Sequence, residues 1–104
     1  MLDRIGLETQ ILSTAGSPVV LASRAARPAA WTVLLYGHYN IQSPDPLDEW
    51  LSTPFEPTIR DERIYAHGVG GNKGQHFASI LAIESLLAFG ELPCDVIALL
   101  EGEE

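Results

Sequence analysis

The chain has 104 residues, with 6 Lys+Arg against 14 Asp+Glu and a formal charge of −8 when its three histidines are neutral. An acidic chain with no local cluster of Lys or Arg repels nucleic-acid phosphates and anionic headgroups, which excludes nucleic acid and membrane surfaces as partners and favours cations. Hydrophobic residues at 46% against 19% charged exclude a disordered chain and fit one globular domain.

The opening Met1-Leu2-Asp3-Arg4 lacks a signal-peptide pattern. Apolar runs such as Val96 to Leu100 fall far short of the ~20 residues that span a bilayer. A soluble, cytoplasmic protein is expected. The first dozen residues, with Ile5, Leu7, Ile11 and Leu12, add a strand or a short helix. Pro18 to Ser23 and Trp31 to Tyr36 are apolar and β-branched and read as neighbouring antiparallel strands across the polar connection Arg24 to Ala30. Between Asn40 and Pro57 the periodicity stops, and Pro44, Pro46, Pro54 and Pro57 punctuate an ordered loop with one short helical turn at Pro46 to Leu51. Thr58 to Arg60 and Arg63 to Ala66 form a hairpin through Asp61-Glu62.

A glycine-rich turn, Gly68 to Gly74, leads into Phe77, Ile80, Leu81, Ile83, Leu87 and their neighbours at three-to-four spacing, a helix near 75–89 capped by Gly90. The run from Cys94 to Leu100 reads as a strand buried on both faces. Cys94 is the single cysteine, so it makes neither an internal disulfide nor a cysteine-based zinc site, and it reads as a buried, inert thiol. Strand, glycine turn, helix and strand define an α/β fold, yet one long helix leaves the second face of the sheet under-covered.

Three short signals follow apolar strands or close turns, where open α/β sheets gather their functional groups: Tyr36-Gly37-His38-Tyr39-Asn40, the Gly68 to Gly74 turn, and Glu101-Gly102-Glu103-Glu104. The glycine turn is neither a dinucleotide fingerprint nor a P-loop, because the glycine spacing differs and no Ser or Thr follows Lys73.

Taken together, Leu35 to Gln42, Pro44 to Trp50, Pro54 to Pro57, Arg63 to Gly68, Lys73-Gly74-Gln75 and Glu101 to Glu104 resemble the zinc-dependent exopeptidase and aminoacylase family. That family contains carnosinase-type dipeptidases, glutamate carboxypeptidase and succinyl-diaminopimelate desuccinylase. The resemblance implies a three-layer α/β/α catalytic domain with a mixed, mostly parallel sheet and two zinc ions. It implies hydrolysis of dipeptide or N-acyl amino acid amide bonds by zinc-activated water, with a glutamate taking the water's proton. This chain matches an N-terminal part of that domain, and no inserted dimerisation (lid) domain is expected in it.

By resemblance His38 is a zinc ligand. Asn40 stands where the family has an aspartate that supports this histidine, a change of the kind that costs ~10–100-fold in metal affinity or activity. Gly71 stands where the family has the aspartate that bridges both zincs, and Asn72 matches the following, non-ligating position. In the register set by Glu101-Gly102, Glu104 matches the general base; in a register shifted by one, Glu103 is the base and Glu104 the zinc ligand. His67 and His76 flank the glycine turn and read as polar surface histidines rather than a relocated metal site. These departures predict a truncated, degenerate relative, a pseudoenzyme with zinc weakly bound or absent. The alternative is a non-catalytic interaction module, or one part of a split or homo-oligomeric assembly completed by another chain.

Overall fold

The computed structural model describes residues 1–29, 31–71 and 73–103. Four strands form one sheet in the order β1, β2, β6, β3: Glu8–Leu12 (β1), Val19–Arg24 (β2), Thr32–His38 (β3) and Asp95–Glu101 (β6). Thr58–Arg60 (β4) and Arg63–Tyr65 (β5) form a separate hairpin, and Lys73–Phe89 (α1) is the one long helix among the described residues. The expected helical turn in the proline-rich segment is a single 3-10 turn, Leu47–Glu49, and the first residues supply both a 3-10 turn, Asp3–Ile5, and β1.

The α/β fold and mixed sheet are as expected. Among the described residues the parallel pairing expected to predominate is confined to β3 with β6, while β1–β2 and β2–β6 are antiparallel. One expectation is corrected: β2 and β3 are not neighbours, because β6 inserts between them, pairing Ala98 with Ala22 on one side and with Leu35 on the other. The expected burial of β6 on both faces is corrected: Val96 and Ala98 are buried, whereas Ile97 and Leu99, on the other face, are half-buried.

One face of the sheet carries Val20, Ala22, Val33, Leu35, Val96 and Ala98, which pack with Ile80, Ile83 and Leu87 of α1 and with Leu2 and Leu7. Cys94 lies in this core as a free thiol, as expected. The opposite face presents Leu34 and Tyr36 at 59% and 58% exposure. The helix also keeps Phe77, Leu81, Leu86 and Phe89 exposed, so apolar residues occupy both of its sides. The helix stops at Phe89; Gly90 follows without the left-handed φ of a glycine cap. No helix among the described residues is long and apolar enough to cross a membrane.

Two details tie local sequence to the functional end. The β4–β5 hairpin turns through Asp61 and Glu62 at φ 49° and 60°, so both loop residues occupy the left-handed region that a two-residue hairpin of this twist requires. At the C-terminal ends of the parallel pair, His38 is in register with Glu101, and the Tyr39 N–H donates to the Glu101 carbonyl at 2.7 Å. The end of β3 is thereby pinned beside the end of β6.

Candidate metal centre

The C-terminal ends of β3 and β6 and the glycine turn before α1 meet at one edge of the sheet, as open α/β folds require of a site built from strand-following loops. Lys73, the first residue of α1, donates from Nζ to the Tyr39 carbonyl at 2.5 Å, which ties the glycine turn to the loop after β3. A cavity of about 230 Å³ lies there, lined by His38, Asn40, Gln42, His67, Gly71 and Lys73 among others. Two of the three sequence signals therefore line a single cavity.

His38 and Asn40 are coupled directly. Nδ1 of His38 lies 2.5 Å from Oδ1 of Asn40, which fixes the imidazole by an amide oxygen where the resemblance implies a carboxylate. An amide dipole holds the ring's orientation but adds no negative charge to raise its basicity.

Gly71 lines the same cavity and brings no side chain to it. A Cβ placed on Gly71 meets only the Gly68 carbonyl oxygen, at an ordinary 3.6 Å, and Gly71 does not share the positive φ of Gly68. Neither space nor backbone conformation requires glycine at this position.

The third signal divides. Glu101 is held through its backbone to Tyr39, whereas the Glu103 carboxylate accepts from the Ser17 N–H at 3.0 Å in the connection between β1 and β2. Gly16 allows this approach, since a Cβ there would overlap the Glu103 carboxylate. Glu103 does not line the His38 cavity. Glu104, the general base in one register and the zinc ligand in the other, lies outside the described residues, as does Asn72.

The two other histidines have structural surroundings. Nε2 of His67 lies 2.6 Å from the Gln42 carbonyl, and its ring stands edge-on to both Trp50 and Phe55 with centroids 5.6 Å away. His76 is corrected from a surface residue: its ring lies against Gly37 of β3, where a Cβ would overlap it, and its Nε2 is buried without a hydrogen-bond partner. The His76 contact has one visible trace in the sequence, Gly37, directly before His38.

A zinc-holding set can be tested against these residues. A catalytic zinc takes three protein ligands, and no group of three or more His, Cys, Asp or Glu among the described residues is placed to hold a metal. His38 lines the cavity, Gly71 brings no donor to it, and the Glu103 carboxylate accepts from the Ser17 N–H. The described residues do not compose the donor set of a two-zinc centre.

Residues 34–104 match Peptidase family M20/M25/M40, and the chain belongs to this family. It is similar to the Beta-Ala-His dipeptidase of Homo sapiens, 36% identical over 88 residues that make up 84% of this chain and 17% of the dipeptidase. Succinyl-diaminopimelate desuccinylase of Thiobacillus denitrificans is 43% identical over 60 residues, 58% of this chain and 15% of the enzyme. Among solved structures, an M20 family metallo-carboxypeptidase from Sulfolobus solfataricus superposes with a TM-score of 0.91 at 41% identity, covering 99% of this chain and 24% of the carboxypeptidase. The chain thus spans about a sixth of the length of these curated relatives and about a quarter of that solved chain.

Proposed function

We propose that this chain carries the first part of the catalytic layer of an M20-type amide-bond hydrolase in a degenerate form, and that it does not hydrolyse dipeptides or N-acyl amino acids by itself. Gly71 carries this reading. It lines the cavity with His38, where the resemblance places a bridging carboxylate, and two divalent cations ~4 Å apart repel strongly without an anion between them. Asn40 weakens the same site a second time by withholding charge from His38.

The chain's own residues still accomplish part of the site's work. Asn40 orients the His38 ring, Lys73 clamps the glycine turn to Tyr39, and Tyr39 locks the end of β3 to that of β6. What the described residues lack is the set of anionic donors. The purified chain, assayed with added zinc or cobalt against β-alanyl-histidine and N-succinyl amino acids, is expected to show no turnover above buffer. Turnover abolished by His38→Ala would sink the proposal.

A second reading is favoured by the exposed apolar residues on both layers, Leu34 and Tyr36 on the sheet and Phe77 and Phe89 on the helix. Here the chain is one part of an assembly that another polypeptide or another copy completes. Light scattering is then expected to find self-association in the purified chain, or complex formation when a completing chain is added. A stable monomer that also binds no hydrophobic dye counts against it.

A further inference from the structure

Beyond the His38 cavity, the proline-rich segment and the β4–β5 hairpin enclose a larger cleft of about 780 Å³, within the size range of small-molecule sites. Its walls are fixed by internal contacts. Trp50 Nε1 donates to the Pro44 carbonyl at 2.7 Å, and the indole stands edge-on to His67, which is held in turn at the Gln42 carbonyl. Arg60 lines the cleft with its guanidinium carbon 4.3 Å from the centroid of the Tyr65 ring. The Arg60 Nε is buried and has no hydrogen-bond partner.

Arg60 is the one arginine or lysine among the residues that line the cleft, and the acceptor that best fits the planar edge of a guanidinium is a carboxylate. Asp45 and Glu49 line the same cleft, so its charge is mixed: a dianion meets their repulsion and a simple cation meets that of Arg60. Trp50, Tyr65 and Ile64 add an apolar wall. A ligand that answers all three features carries one carboxylate, one ammonium group and an apolar body.

We infer that this cleft is a binding site for a zwitterionic amino acid with an apolar side chain, its carboxylate on Arg60, its ammonium group towards Asp45 and Glu49, and its side chain against Trp50. The site needs neither His38 nor Gly71, and its ligand has no amide bond to hydrolyse, so it stands or falls apart from the hydrolase reading.

The test uses the fluorescence of Trp50. The chain has two tryptophans, so Trp31→Phe in the full chain leaves Trp50 as the sole reporter. L-phenylalanine is titrated alongside 3-phenylpropionate, which lacks the ammonium group, and phenethylamine, which lacks the carboxylate. The expected result is a saturable change with phenylalanine at lower concentration than with either analogue. Arg60→Gln is expected to weaken phenylalanine binding by at least about tenfold and to leave the response to phenethylamine unchanged. Equal binding of all three compounds, or no saturable change with phenylalanine up to its solubility limit, overturns the assignment. So does undiminished phenylalanine binding by a folded Arg60→Gln chain; if that variant fails to fold, the three-compound comparison on the Trp31→Phe chain decides.

Discussion

Gly71→Asp is expected to raise the affinity of the chain for zinc by at least about tenfold, the equivalent of 1.4 kcal/mol. The substitution places a carboxylate in the cavity that His38 already lines, so a neutral imidazole gains an anionic co-ligand. Sterically the change is mild, because a Cβ at Gly71 meets only the Gly68 carbonyl oxygen at 3.6 Å. The backbone at this position thus tolerates an aspartate side chain. Adding Asn40→Asp converts the partner of His38 Nδ1 from an amide to a carboxylate and is expected to contribute a further ~10–100-fold. Gly71→Asn adds bulk without charge and is expected to gain far less. Competition with a chromogenic chelator measures all of these chains, and an affinity for Gly71→Asp equal to that of the unmodified chain contradicts the role assigned to this position.

Gly102→Ala is expected to cost the chain a substantial part of its stability. Gly102 is buried where the chain leaves β6, and a Cβ there would overlap both the Ser17 Cβ and the Tyr39 hydroxyl. Tyr39 is not free to yield without loss, since its hydroxyl donates to the Pro18 carbonyl at 2.6 Å and its N–H to Glu101. Overpacking of this kind costs about 1–3 kcal/mol, which for a domain of this size lowers the thermal midpoint by about 5–15 °C. Circular dichroism melting of the single variant, and of the same change made in a Ser17→Gly, Tyr39→Phe background, separates the overlap from other effects of alanine. The glycine of the Glu101-Gly102 signal is thereby explained by packing. An unchanged midpoint in the single variant refutes that explanation.

Much of this arrangement was legible in residue order. The hairpin through Asp61-Glu62, the helix after the glycine turn, the buried Cys94 and the gathering of the first two signals at one sheet edge all follow from local patterns. Such patterns carry their information within a few residues of one another. The sheet order was not legible, because β2 and β3 are separated by a connection short enough for a hairpin, and only long-range pairing shows that β6 lies between them. The Glu103 carboxylate was equally hidden: its partner, the Ser17 N–H, lies 86 residues away in the chain. His76 read as polar surface because it opens a helix, yet a glycine on β3 makes room for its ring. In each case the deciding contact is between segments distant in sequence; for Glu103 and His76 a glycine is the local sign of it.

His38 sits in a cavity whose remaining described residues do not complete a zinc site. Elemental analysis of the unmodified chain, equilibrated with zinc and then freed of loosely held metal by gel filtration, tests it most directly. The expected result is far less than one zinc per chain, and the same content in His38→Ala. One tightly held zinc per chain, lost on His38→Ala, would contradict the account.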